Sequence, residues 1–173
     1  MELVYLGIVI FLFALSTFDL FVGVSNDAVN FLNSAIGAKV ARFRTILIIA
    51  SIGVFVGATM SNGMMDIARH GIFQPQMFSF NDLLCIFLAV MVTDVVLLDV
   101  FNTLGMPTST TVSMVFELLG GTFILSLLKI ATDETGLLGF ADLLNTDKAL
   151  SVILGIFLSV AVAFIFGTVV QWL

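Results

Sequence analysis

The stretch Gly23-Val-Ser-Asn-Asp-Ala-Val-Asn30-Phe-Leu-Asn33 places three amides and one carboxylate inside a strongly apolar chain. If it is helical, Asn26, Asn30 and Asn33 lie on one face, because residues four and seven positions apart return to nearly the same angle. Asp27 lies one position around the helix from that face. Hydrocarbon accepts such groups only where they face a bundle interior, a cavity or a bound ion. The stretch therefore predicts a polar site inside a membrane.

The composition of the whole chain indicates an integral membrane protein. Of its 173 residues, 60% are hydrophobic and only 10% are charged, and the mean hydropathy is +1.21. A soluble domain is about half apolar and about one quarter charged. The apolar runs are longer than the alternating segments of about ten residues that build outer-membrane barrels. We therefore expect an all-α integral membrane protein that contacts the lipid bilayer and has no nucleic acid partner.

Apolar segments long enough to cross a membrane define the predicted helices. Residues 3–24 give about 33 Å of helix, enough to cross a hydrocarbon core of about 30 Å. Further helices are predicted at residues 45–60, 83–104, 108–130 and 149–172. We expect residues 61–82 to form an external or interfacial loop with a short helix at 63–70. Residues 131–148 are expected to form a solvent-exposed connection.

A basic cluster predicts the orientation of the chain. Lys39, Arg42 and Arg44 follow the first polar stretch closely. By the positive-inside rule, the loop from Lys39 to Arg44 is cytoplasmic and the N-terminus lies outside. The expected location is the cell membrane, which the chain crosses several times.

The first polar stretch is predicted to interrupt a helix. Ser25 and Asn26 can bond to their own backbone and end the helix before them. Residues 25–39 are too polar and too short to cross the membrane again. We therefore expect a short half-helix at Ala28 to Gly37, in a discontinuous or re-entrant segment.

A second interruption is predicted at Gly105-Met-Pro-Thr-Ser-Thr-Thr-Val-Ser113. Gly105 and Pro107 end the preceding helix, and Thr108 or Ser109 can cap the next one. The start of a helix offers N–H groups and a positive dipole end, which bind anions. The alternative for this stretch is capping alone.

Five acidic residues lie in or beside apolar segments that contain no basic residue: Asp19, Asp27, Asp94, Asp99 and Glu117. Carboxylates are costly to bury in a membrane, so they indicate an electropositive partner, a metal cation or a proton. Asp94 and Asp99 lie about 140° apart on a helix and do not share a face. We expect one of them to serve a site while the other packs against a neighbouring segment.

The two interruptions together predict an anion–cation symporter. One supplies donors for an anion, and the other supplies carboxylate and amide oxygens for a cation. Discontinuous helices that meet near the membrane midplane commonly form the substrate site of secondary transporters. A cation channel or exchanger is the alternative, but it would leave the hydroxyl-rich stretch no role beyond capping. A purely structural subunit would not need five acidic residues that are costly to bury. An enzyme is not indicated either, because the membrane segments contain no Ser-His or Cys-His pairing.

Both polar stretches resemble the signature motifs of the inorganic phosphate transporter (PiT) family. Residues Asn26 to Asn30 are similar to that family's Asn-Asp-x-x-Asn motif, and Pro107 to Thr111 are similar to its Pro-x-Ser-Thr-Thr-His motif. The resemblance covers the whole chain in order and spacing. It implies a phosphate importer coupled to Na⁺ or H⁺ and built from two inverted repeats, each with one copy of the motif pair.

The resemblance and the acidic residues together define the predicted ligands. The predicted phosphate ligands are Asp27, Ser109, Thr110 and Thr111. The predicted cation ligands are Asn26, Asp27, Asn30, Asp94 and Asp99. We expect no cofactor, and no metal beyond the transported cation.

The chain departs from the family pattern in three ways. Val112 stands where the family usually has His, and Val54 lies roughly where many members carry an acidic residue. Only one Asn-Asp-x-x-Asn copy is present. We therefore interpret residues 1–173 as a single transmembrane domain, the N-terminal repeat and one half of an inverted-repeat transporter. It is either a fragment of a longer transporter or a half-size protein that dimerises, and its partner is a second repeat or a second protomer.

Overall fold

The computed structural model describes residues 2–62, 71–106, 108–133 and 136–173. Its helices are α1 (Glu2–Gly37), α2 (Phe43–Thr59), α3 (Phe80–Leu104), α4 (Thr110–Thr132), α5 (Phe140–Leu143) and α6 (Thr146–Trp172), with a 3₁₀ turn at Pro75–Met77. The short helix predicted at 63–70 and the helix-ending role predicted for Pro107 lie outside the described residues.

Four of these helices, α1, α3, α4 and α6, are long and apolar enough to cross a membrane. Helix α2 is equally apolar but shorter, with 17 residues, or about 26 Å of helix. The prediction of an all-α protein with several helices able to cross a membrane is confirmed for the described residues. The helix boundaries lie close to those predicted, except at the first polar stretch.

The predicted break at Ser25 and Asn26 is wrong. Helix α1 continues without interruption for 36 residues, and the expected half-helix at 28–37 forms its last turns. The prediction assumed that the polar side chains would bond to their own backbone. The Asn26 side chain instead bonds to Asn102 and to the N–H of Thr108. The Asn26 side chain therefore does not compete for the backbone hydrogen bonds of α1, and the helix continues.

The second predicted break is confirmed as an interruption between two helices. Gly105 ends α3 in the left-handed conformation, with φ of +67°, which glycine adopts without steric cost. The N–H groups of Gly105 and Met106 donate to the carbonyl oxygens of Asn102 and Phe101, the two bonds of a Schellman cap. Ser109 then caps α4 by accepting from the N–H of Val112 at 3.4 Å.

Helices α1 and α3 run parallel, whereas α4 runs antiparallel to both. Tyr5 donates to Asn81 at one end of the α1–α3 pair and Asn26 donates to Asn102 further along, each at 2.8 Å. The two residues of each pair are 76 positions apart in the sequence. An equal separation at two levels requires that α1 and α3 run parallel. The short turn between α3 and α4 and the Lys129–Asp82 ion pair at 2.8 Å make those two helices a hairpin. The polar stretch of α1 therefore lies beside the start of α4.

A hydrophobic core packs around the part of the hairpin that lies away from the turn between α3 and α4. Its buried members include Ile72, Phe73, Phe78, Ile86, Val90, Val115, Leu118 and Leu143. Backbone hydrogen bonds of 3.0 Å join Gln74 to Leu143 and Asn145 to Ile72. The prediction of a solvent-exposed connection at 131–148 is therefore wrong in part, because Leu143 and Leu144 are buried. Apolar side chains within this acidic segment cover the core.

Helices α2 and α6 make little contact with the rest of the chain. Ile46 is the buried residue of α2 and Ala149 that of α6 within the described part of the chain. Their exposed side chains are mostly large and apolar. Such faces suit lipid or a further protein surface.

Candidate functional site

Asn26 is the centre of a polar cluster that joins α1, α3 and α4. Its side chain is fully buried. Nδ2 donates to Oδ1 of Asn102 at 2.8 Å, and Oδ1 accepts from the backbone N–H of Thr108 at 3.0 Å. Asn102 in turn donates through Nδ2 to the carbonyl oxygen of Val22 at 3.2 Å. Two amides thus fix the level at which the turn meets α1.

Asn30 lies one helical turn after Asn26 and binds the same residue of the turn. Its Nδ2 donates to the carbonyl oxygen of Thr108 at 3.1 Å. The N–H and the C=O of Thr108 are therefore both held by side chains of α1. This pair of bonds explains why the Asn-Asp-x-x-Asn spacing matters, since residues four apart lie on one face of a helix.

Asp27 meets the first residue of α4. The Thr110 hydroxyl donates to Oδ2 of Asp27 at 2.8 Å. A carboxylate next to the start of a helix is stabilised by the positive end of the helix dipole. No basic side chain among the described residues forms an ion pair with Asp27, and the Lys129–Asp82 pair lies at the far end of the hairpin. The carboxylate of Asp27 is therefore balanced by a hydroxyl and by the start of α4 rather than by a basic side chain.

The three hydroxyls predicted to hold phosphate have different surroundings. Ser109 uses its oxygen to cap α4, Thr110 donates to Asp27, and Thr111 is exposed. The N–H groups at the start of α4 have no intrahelical acceptor, because no helical carbonyl precedes them. The stretch thus combines backbone donors with one hydroxyl that already has an anionic partner.

Asp94 and Asp99 do not join the Asn26 cluster. Asp94 is 2% exposed and its Oδ1 has no hydrogen-bond partner among the described residues, whereas Asp99 is exposed. They face different directions, as their angular separation predicts. The structure thus separates Asp94 and Asp99 from the other predicted cation ligands, Asn26, Asp27 and Asn30.

Sequence reasoning missed two members of the cluster. No site role was predicted for Asn102, and Thr108 was predicted only as a candidate helix cap. The available signal was the amide of Asn102 in an apolar helix just before Gly105, since a buried amide needs partners. Asn26 lies at the same level and supplies that partner.

Comparison with known proteins identifies a family. The model of the phosphate transporter family matches residues 23–173, a range that begins at the first polar stretch and includes the second. No curated protein and no solved structure matches the chain. Because the match extends over most of the sequence and includes the whole polar cluster, the chain belongs to the phosphate transporter family.

Proposed function

We propose that the chain forms one repeat of a symporter that moves inorganic phosphate together with Na⁺ or H⁺. The observation that carries the proposal is the hydrogen bond between Thr110 and Asp27. It puts a carboxylate suited to a cation next to a helix start suited to an anion. A site with only one of these features would fit a cation channel or a simple anion site.

The Thr110–Asp27 bond supports a specific order of events. The Thr110 hydroxyl has one proton, and while that proton points to Asp27 it is not available to phosphate. A cation bound at Asp27 neutralises the carboxylate and frees the hydroxyl to turn toward phosphate. Cation binding thereby adds a donor to the anion site and removes a negative charge beside it. By linkage, bound phosphate strengthens cation binding by the same factor.

In this proposal α4 and its preceding turn hold the phosphate. Each neutral hydrogen bond contributes only about 1 kcal/mol net, so several donors are needed to offset the loss of water. The N–H groups at the start of α4 and the hydroxyls of Ser109, Thr110 and Thr111 supply them.

The cation is held from the α1 side. The carboxylate of Asp27 is its main ligand, and Asn30 can add an amide oxygen because Nδ2 carries its bond to Thr108. Asn26 lies next to Asp27 and orients the turn. The exposed Asp99, which lies apart from this group, would bind the cation along its path, and the buried Asp94 would do so where that cation is H⁺.

A second repeat or a second protomer completes the transporter in this proposal. Alternating access requires one repeat to move against another around a shared site. The sparsely packed α2 and α6 supply apolar faces for such a partner or for lipid. We place the assembly in the cell membrane, with the turn from Lys39 to Arg44 in the cytoplasm.

Ion uptake measurements test the proposed function. Proteoliposomes with the transport-competent assembly should accumulate phosphate when a Na⁺ or H⁺ gradient is imposed, and added phosphate should increase uptake of the same cation. Cation flux that is independent of phosphate would support the channel or exchanger alternative instead.

A further inference from the structure

A second group of carboxyls lies between the same three helices, away from the Asn26 cluster. Leu98 of α3 packs against Gly23 of α1, and Asp94 and Asp19 lie one turn earlier on the same faces of these parallel helices. Each has a buried carboxyl oxygen without a partner, as does Glu117 of α4. Asp19 and Asp27 are eight residues apart, which is about 12 Å along α1. The group is therefore a separate feature of the bundle.

The burial of Asp94 is a separate observation that points to a ligand. Its side chain is 2% exposed, and its Oδ1 is inaccessible and accepts no hydrogen bond from the described residues. The same holds for Oδ1 of Asp19 and for both carboxyl oxygens of Glu117. Buried carboxyl oxygens without donors are costly, and a like charge nearby adds to that cost.

The geometry points to a proton held between Asp19 and Asp94. Two ionised carboxylates offer only acceptors, so a proton held between them would supply the donor that their buried oxygens lack. The titratable groups nearest to Asp94 are all acidic: Glu117 of α4 and Asp19 of α1, with Asp27 of α1 more distant.

This proton site is independent of phosphate binding. It deepens the proposed function in one respect, since it offers a buried, exchangeable proton beside the helices that carry the phosphate site, and in that respect it rests on the proposed function. The proton needs no other reactant, because it comes from water when the pair forms and returns to water when both groups ionise.

Infrared spectroscopy of the purified chain in lipid nanodiscs tests the proton site. A protonated carboxyl gives a carbonyl band distinct from that of a carboxylate, and we expect that band at neutral pH in the wild-type chain. The variants are compared in a Glu117→Gln background, because both buried oxygens of Glu117 also lack donors and a proton on that carboxyl would give its own band. In this background Asp94→Asn should abolish the band, because the new amide donates an N–H to Asp19 in place of the shared proton. Asp19→Asn should abolish it for the same reason and serves as the second variant if the first does not fold. Asp99→Asn, an exposed aspartate of the same helix, is the matched control and should keep the band.

The outcomes separate the two proposals. Asp27→Asn should keep the band even though it removes the proposed cation ligand, so a failure of the phosphate proposal leaves this test intact. Absence of the band in the wild-type chain at neutral pH would overturn the shared proton. So would a band that survives both Asp94→Asn and Asp19→Asn, or one that added Na⁺ removes at constant pH.

Discussion

Replacement of Thr110 by Val separates the two roles that we assign to its hydroxyl. The substitution keeps the branched shape and removes the bond of 2.8 Å to Asp27. A hydrogen bond to a charged group contributes about 1.5–3 kcal/mol. In the absence of phosphate this bond competes with the cation for Asp27. Removal of the competitor at the low end of that range should tighten cation binding about tenfold, since about 1.4 kcal/mol corresponds to a factor of ten.

Phosphate affinity should change in the opposite direction. Once the cation is bound, the hydroxyl of Thr110 donates to phosphate in our account, and Val cannot replace it. We expect phosphate affinity at saturating cation to fall about tenfold, or about 1.4 kcal/mol. Isothermal titration calorimetry of the purified protein, with cation and phosphate titrated separately, measures both changes.

Thr111→Val is the matched control for this experiment. Thr111 is exposed and is the next residue of α4, so its replacement should leave cation affinity unchanged. Cation binding that is equal or weaker in Thr110→Val than in the wild type would refute the competition between the hydroxyl and the cation. Unchanged phosphate affinity in Ser109→Ala, Thr110→Val and Thr111→Val alike would reduce the stretch to a helix cap.

Three further predictions follow from the same contacts. Asp27→Asn should abolish cation-coupled phosphate uptake by the transport-competent assembly while helix content, measured by circular dichroism, stays the same; wild-type uptake would contradict the coupling role. Asn26→Ala should destabilise the bundle by about 1–3 kcal/mol in a detergent unfolding assay, because it removes two interhelical bonds worth about 0.6–1.7 kcal/mol each. Replacement of the exposed Asn33 by Ala is the control. Equal stability of the two variants would contradict the role of Asn26 in joining the helices. The 173-residue chain alone in liposomes should accumulate no phosphate above empty vesicles, since alternating access needs a second repeat; robust uptake would mean that the chain forms a working dimer.

The sequence predicted the helices well because their apolar runs are long and their ends are marked chemically. Gly105 and Ser109 are a strong stop signal and a strong start signal, and the structure uses both. The error at Ser25 and Asn26 has a tertiary cause. Whether a buried amide bonds to its own backbone or to another helix depends on what lies opposite, and local sequence does not state that.

The pairing of residues across helices was the least predictable part of the site. Asn26 and Thr108 are 82 residues apart in the sequence. They come into contact only because α1 packs parallel to α3, which places Asn26 beside the turn after α3. The same packing puts Asp94 beside Asp19 and leaves Asp99 exposed. The angular separation of the two aspartates predicted that they would differ, but not which one would be buried.

The most direct test of the central claim is phosphate affinity measured by calorimetry across a range of Na⁺ concentration and pH. Our account predicts that phosphate binding tightens as one of the two cations increases, and that the coupling is lost in Asp27→Asn. Phosphate affinity that is independent of both cations in the wild-type protein would contradict the claim that Asp27 and the start of α4 form one coupled site.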